Sequence, residues 1–570
     1  MKIARRKSLC VLMFLLAAVG INAQESFPQY GKPLDIPMHL SATFAEMRAG
    51  HPHSGLDIKT DGVEGKPVYA VADGYVSRIA VSPFGYGNAL YITHNDGYTS
   101  VYGHLQRFNP SIAKYVRNYQ YAHKTFAAQI FPTRTNFPVK KGDVIAYSGN
   151  SGGSGGPHLH FEVRHTASEK PVNPMYFGYS FPDAKKPVIT GVSIYPVEKA
   201  TIEKSPDPGY FHIAGQDGRY SLKDKPVVHV YGKIAFGICS YDQVGASANK
   251  NGPYTYELFL DNALRFKVEC DSFAFSENRY VNSLIDYQHY MEKGSRYIRT
   301  EVDPNNRLSM IALKDGTIIV NQGDTVDVSL RVTDYSGNLS RVDFKVVGYA
   351  PVFVEPKVHF RSEYFVKADG TQNSEINIED FSVVLPKGTL FRDEWIPTGI
   401  TDAKDCCSRI YRFGNDNLAV FKAFKVRIRP QEKWTKDTRM FIACMDDKNK
   451  VSSIGGKMVD GYLETETRSL GRYAIKIDSV APVVSPRNFK DKQAVSALKS
   501  LRFKISDDMS GIDTYNIYLN DEWVLGQYDA KNALLYYDFD SHIKKGNNRV
   551  KVVVKDGVGN TKTYKATVSY

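Results

Sequence analysis

The chain has 570 residues, 42% of them hydrophobic and 24% charged, and a formal net charge of +12. That length is too great for one hydrophobic core and predicts three to five domains, while the composition excludes a disordered or fibrous chain. The charge is mildly basic, but no Lys/Arg run with interleaved aromatics points to nucleic acid, and no internal apolar run is long enough to cross a membrane.

Lys2, Arg5, Arg6 and Lys7 form a basic start, Leu9 to Gly20 an apolar stretch, and Ile21-Asn22-Ala23 a small-residue cleavage site. Residues 1–23 are therefore predicted to be a signal peptide, with the mature chain starting at Gln24 and exported to the periplasm, the cell envelope or the medium. Removing the four leader cations lowers the formal charge from +12 to +8. Cys10 lies at the start of the apolar stretch rather than after it, which argues against a lipoprotein. Five cysteines follow: Cys239 and Cys270 are one candidate pair, and Cys444 could pair with Cys406 or Cys407.

The 37 Tyr and 30 Phe fit a mainly β protein. Within 24–184, strands are predicted at Pro67 to Ala72, Tyr75 to Val81, Ala89 to His94 and Tyr98 to Leu105, the last two joined by Asn95-Asp96-Gly97. Pro110 to Gln129 reads as a helix with an apolar stripe of Ile112, Tyr115, Val116 and Tyr119, an insertion on the rim. Val139 to Ser148 reads as a further strand, leading to the loop Asn150 to Gly156, whose four glycines could border a cleft.

Gly156-Pro157-His158-Leu159-His160-Phe161-Glu162-Val163 is the most informative stretch. Strand alternation points His158 and His160 to one face and Leu159, Phe161 and Val163 to the other. Upstream, His53-Ser54-Gly55-Leu56-Asp57 is a His-x3-Asp pair. Two His and one Asp are ligand types of a catalytic zinc ion with a fourth position open for water. With fourteen histidines, ~0.7 His-x3-Asp and ~0.3 His-x-His matches arise by chance, so the combination carries the signal. Indeed, His51-Pro52-His53 is a second His-x-His. His104 ends the strand Val101-Tyr102-Gly103-His104-Leu105, where alternation predicts that Tyr102 and His104 share a face. No His-Glu-x-x-His helix occurs, so a histidine must do the proton transfer.

Beyond 184, Lys186-Pro187-Val188, Ala350-Pro351-Val352 and Ala481-Pro482-Val483 each open a new run of strands, giving segments 185–349, 350–479 and 480–570. The first and last repeat a closing Asp-x-x-Gly-Asn turn, at Asp334 to Asn338 and Asp556 to Asn560. Short strands with regular turns predict Ig-like β-sandwiches for both, with a β-rich module of the same kind between them.

His53 and Asp57, the block Tyr102-Gly103-His104-Leu105 and the stretch around His158 and His160 together resemble the lysostaphin/LytM-type zinc metalloendopeptidases of peptidoglycan, over about 24–175. Phe44-Ala45-Glu46-Met47-Arg48 is similar to Bacteroidetes-type members with C-terminal Ig-like modules. The resemblance implies an antiparallel β barrel or groove, the duplicated hybrid motif, carrying a helical insertion and followed by about three sandwiches. It implies Zn2+ held by His53, Asp57 and His160, with His104 and His158 as the catalytic histidines. The implied function is hydrolysis of peptide cross-links in bacterial peptidoglycan, D-alanyl–diamino-acid bridges over polyglycine. The alternative is a catalytically silent scaffold or an activator of another wall hydrolase. The insertion is expected to line or roof the cleft.

Overall fold

A computed structural model describes residues 27–350, apart from 224 and 246, and 364–570. The predicted signal peptide and the Pro351-Val352 boundary lie outside the described residues. Among those described, the protein is mainly β.

The N-terminal region is built from β1 (Leu40–Ala42), β2 (Leu56–Lys59), β3 (Pro67–Tyr69), β4 (Gly74–Val81), β5 (Asn88–His94), β6 (Tyr98–Leu105), β7 (Arg107–Phe108), α1 (Pro110–His123), β8 (Ala128–Ile130), β9 (Pro138–Val139), β10 (Val144–Tyr147) and β11 (His158–His165). The main antiparallel sheet runs β1-β2-β11-β6-β5-β4-β8, with β9 also pairing β4; β3-β10-β7 form a small second sheet. β11 is central. It pairs with β2, placing His160 opposite Asp57, and with β6, placing His160 opposite Gly103. Leu159, Phe161 and Val163 are fully buried, as their alternation predicts. Each stabilises the sheet by roughly 1.5–3 kcal/mol through burial.

Two expectations change in detail. The helix ends at His123, because Lys124 takes a left-handed φ of 48° and caps it. Ala128–Ile130 then returns as a strand against Ile79 to Val81. The strand predicted from Val139 to Ser148 is broken by a turn in which Asp143 N donates to Lys140 O. The helix start follows the sequence: the Asn109 side chain accepts from Ile112 N and Pro110 fills the first turn. α1 buries Ile112, Val116 and Gln120, whereas Tyr115 is exposed.

Downstream, the long strand Val227–Tyr241 joins two sheets. Its first part pairs parallel with Leu339–Gly348 and its second antiparallel with Val188–Pro196. Gly232, at φ +90°, lies at the changeover, where a Cβ would press on Ala200. Residues 364–477 form a six- and a five-stranded sheet, and 483–569 two four-stranded sheets.

Buried apolar side chains gather into three large clusters. One runs from Leu34 to Val346 and so spans the N-terminal region and the sandwich after it; the others span Ala368 to Ile475 and Val484 to Val568. The candidate disulfides are not formed: Cys239, Cys270, Cys406, Cys407 and Cys444 are all free thiols. Burial pushes the Cys270 thiol well up, which keeps it protonated and inert.

Candidate active site

β2, β11 and the turn before β2 bring His53, Asp57 and His160 together. His53 Nδ1 lies 2.8 Å from Thr43 O, which can only accept, so the neutral ring carries its proton there and leaves Nε2 free. His160 Nε2 is 2.8 Å from Glu162 Oε1, which turns Nδ1 toward the other two residues. The three inward atoms are close: His53 Nε2 to Asp57 Oδ1 is 3.1 Å, His160 Nδ1 to Asp57 Oδ1 2.8 Å, and the two nitrogens are 3.2 Å apart. Bonds of about 2.0–2.1 Å to a tetrahedral zinc ion place ligand atoms about 3.3 Å apart. The donor set, two neutral imidazoles and a carboxylate, therefore fits a metal ion with small adjustments. All three residues are buried. His51, the alternative histidine, points elsewhere: it is exposed and pairs through its backbone with Arg48.

The electrostatics favour positive charge here. Burial works against the Asp57 carboxylate, but His53 and the hydrogen bonds from His158 and His160 outweigh it and hold its pKa well below the usual range. Burial also opposes a charged His160, yet Asp57 and Glu162 overcome this and hold it up at about 9.

Glu162 is the residue that sequence reasoning left without a role. It is fully buried and accepts from Tyr86 Oη (2.6 Å), Ser54 Oγ (2.7 Å) and Arg164 Nε (2.6 Å) while orienting His160. Arg164 is itself held over the Phe275 ring at 4.5 Å. Such carboxylate–histidine pairs fix the tautomer and raise ligand basicity. The signal was available, because Glu162 stands two residues from His160 on the same strand face.

His158 and His104 flank the triad. His158 Nδ1 donates to Gly156 O at 2.9 Å, leaving Nε2 3.5 Å from Asp57 Oδ1. His104 Nδ1 donates to Ser151 O at 2.9 Å. The two rings are 4.8 Å apart and His104 is 5.8 Å from the His160 ring. Burial, reinforced by His160 and His158, pushes the His104 pKa down to about 4.

His104 reaches the site by a route that alternation does not predict. Tyr102 lies opposite Phe161 on the core side, fully buried, with its rings 5.5 Å from Phe161. Regular pleating would carry His104 into the core as well. Instead the pairing of β5 with β6 slips between Asn88 and Leu90, and His104 takes φ +57°. This bulge turns its ring to the metal side. Gly103 makes room: a Cβ there would lie 3.3 Å from His160 Cβ and from the Tyr86 ring.

The glycine loop is pinned rather than loose. Ser151 Oγ donates to Leu105 O and Gly153 N to Gly85 O, both at 2.8 Å. Gly155, Gly156 and His158 wall a groove of about 760 Å³, completed by Lys59 and Asp61 and, from the next sandwich, Ser247 and Ala248. No residue of α1 lines it, so the insertion does not roof this groove. Its Tyr121 faces the last sandwich, stacked on His542 at 4.7 Å and donating to Asp540.

The same region is similar to known proteins. Residues 51–124 and 117–174 match the model of peptidase family M23, and residues 364–478 match a Zu5-like domain. A Haemophilus influenzae protein named an uncharacterized metalloprotease is 36% identical over 162 residues, 27% of this chain and 28% of that protein. The DD-carboxypeptidase/endopeptidase Mpg of Neisseria meningitidis is 31% identical over 131 residues, 23% of this chain and 24% of that protein. A solved zinc containing peptidase from Vibrio cholerae is 29% identical, covering 28% of this chain and 41% of that one, with a TM-score of 0.19. The chain thus spans about a quarter of the length of the curated relatives it matches. Residues 51–174 thus carry a domain of peptidase family M23.

Proposed function

We propose that the chain is an exported zinc metalloendopeptidase that hydrolyses peptide cross-links of bacterial peptidoglycan. The observation that carries this reading is the convergence of His53 Nε2, Asp57 Oδ1 and His160 Nδ1, with two further imidazoles beside them. When bound, zinc polarises the scissile carbonyl and lowers the pKa of its water toward about 7.

The chain's own residues supply the rest. His53, Asp57 and His160 hold the metal, and Glu162 keeps His160 in the tautomer that presents Nδ1. His158 and His104 are each anchored through Nδ1 to a carbonyl, which fixes the ring and leaves Nε2 for the substrate side. One accepts the proton of the attacking water and passes it to the leaving amine, while the other donates to the developing oxyanion. An extended peptide lies in the groove beside His158, between the glycine loop and the sandwich. The Neisseria relative is named a DD-carboxypeptidase/endopeptidase, which favours the D-alanyl–diamino-acid bridges expected from the sequence over polyglycine ones.

The test is digestion of purified peptidoglycan by the mature chain, with product masses measured. The wild type releases shortened cross-links. His104→Ala and His158→Ala retain one zinc per chain and lose turnover by a factor on the order of 10² or more. Zinc retention without wild-type hydrolysis would instead support the scaffold or activator role.

A further inference from the structure

The segment leaving the peptidase domain meets two buried carboxylates as it enters the next sandwich. Asp183 lies on this linker, Asp242 follows the strand Val227–Tyr241, and Asp334 opens the Asp-x-x-Gly-Asn turn before Leu339–Gly348. One carboxylate oxygen from each lies within 4.8 Å of the others. Asp242 is 2% exposed and Asp334 3%.

Hydrogen bonds account for only part of this charge. Asn338 N and Nδ2 donate to Asp334 Oδ1 and Oδ2, both at 2.8 Å, and Lys185 N donates to Asp183 Oδ1 at 3.1 Å. Asp242 Oδ1, by contrast, is buried with no hydrogen-bond partner. It faces a cavity of about 30 Å³ whose wall includes Asp183, Asp334, Thr43, Phe44 and Tyr254. A buried anionic oxygen without a donor is costly unless a proton or a cation meets it. Burial, with Asp334 next, pushes the Asp242 carboxyl up to about 7, and the effect of Lys185 is smaller than that of either neighbouring carboxylate.

We propose that Asp183, Asp242 and Asp334 bind a calcium ion that clasps the linker and the first sandwich against the peptidase domain. The donor set is all oxygen and anionic, which suits a hard cation over zinc. Two oxygens bound to one Ca2+ at about 2.4 Å lie at most about 4.8 Å apart. The cavity holds about two water-sized bodies, too few for Mg2+, which keeps several waters in a near-ideal octahedron.

The position gives the ion a purpose. Thr43 Oγ1 donates to Gly252 O of the sandwich at 3.3 Å, while the carbonyl of the same residue holds His53 Nδ1. Ser247, which lines the groove beside His158, donates to Leu40 O of β1 at 3.0 Å. A clasp here steadies both a proposed zinc ligand and a groove wall.

The last sandwich repeats the arrangement with Asp478 on the linker, Asp507 after Ser500–Ser506 and Asp556 in its own Asp-x-x-Gly-Asn turn, again within 4.8 Å. Asn560 Nδ2 bonds Asp556 Oδ2 and Asp478 O, as Asn338 Nδ2 bonds Asp334 Oδ2 and Asp183 O. The test therefore counts a difference between proteins rather than a total.

Zinc-loaded full-length chain, freed of other divalent ions on a chelating resin, is titrated with CaCl2 and its bound calcium counted by native mass spectrometry. Asp242→Asn, and separately Asp183→Asn, each bind one calcium fewer than the wild type. Their melting temperatures without calcium are no lower than the wild type's, since a repulsive charge is gone, and their calcium-dependent rise is several degrees smaller. Equal counts in wild type and both variants, or no calcium on the wild type at millimolar CaCl2, overturns the site. MgCl2 binding the wild type as tightly as CaCl2 overturns the assignment to calcium.

Discussion

The first and last sandwiches both touch the M23 domain, but in different ways. The first shares its apolar cluster: Phe44 packs on Phe273 with rings 5.5 Å apart, Arg164 lies over Phe275, and Asn173 N and Nδ2 donate to Asp271 O and Cys270 O. It also walls the groove with Ser247 and Ala248. The last sandwich has its own core and meets the domain through the Tyr121 ring and through Lys531, whose ammonium donates to Asn150 O, Asn150 Oδ1 and Ser154 O on the glycine loop. Shared burial makes the first sandwich one folding unit with the M23 domain, whereas exposed polar contacts of the second kind are each worth only about 0.2–1 kcal/mol.

Deletions give the largest predicted contrast. A chain ending at residue 184 exposes half of a buried cluster and is recovered as aggregate, while one ending at 479 stays soluble and keeps most of its hydrolysis. Sedimentation and peptidoglycan digestion measure both, and a soluble, active 24–184 fragment would break the comparison. Next in size, Phe273→Ala costs about 3–5 kcal/mol in chemical denaturation, because a fully buried ring between the two regions is lost.

Within the site, Glu162→Gln weakens zinc binding about 10–100-fold, measured by chelator competition, because His160 loses its anionic anchor. The smallest effect is expected for Lys531→Ala and Tyr121→Phe. They change turnover less than about threefold and melting by a degree or two, consistent with contacts worth under about 1 kcal/mol each. A tenfold change from either would show that the last sandwich controls the glycine loop.

Much of this was legible in the sequence where a local period carries the information. The alternation along 158–163 carries both the histidine face and the core face, and Asp57 falls opposite His160 in register. Alternation gives the wrong face for His104 because a bulge depends on one residue's backbone angle, which leaves no period in the side chains beyond Gly103. The helix reads too far because the residues from Lys124 onward break no apolar pattern, yet the pairing of Ala128–Ile130 with β4 wins. Ser247 and Ala248 could not be placed on the groove at all, since nothing local announces a contact about 90 residues from His158. The third acidic position, Asp183, was likewise hidden in a linker, although the repeated Asp-x-x-Gly-Asn turns marked one corner of each triad.

If His53, Asp57 and His160 hold the zinc ion proposed to cut peptide cross-links, metal and activity are lost together. The decisive measurement is zinc content and peptidoglycan products together for the wild type, Asp57→Ala and His160→Ala. One zinc per chain with released cross-link fragments is expected for the wild type, and neither for the two variants. Full hydrolysis by His160→Ala, or a folded wild type that takes up no zinc, would contradict it.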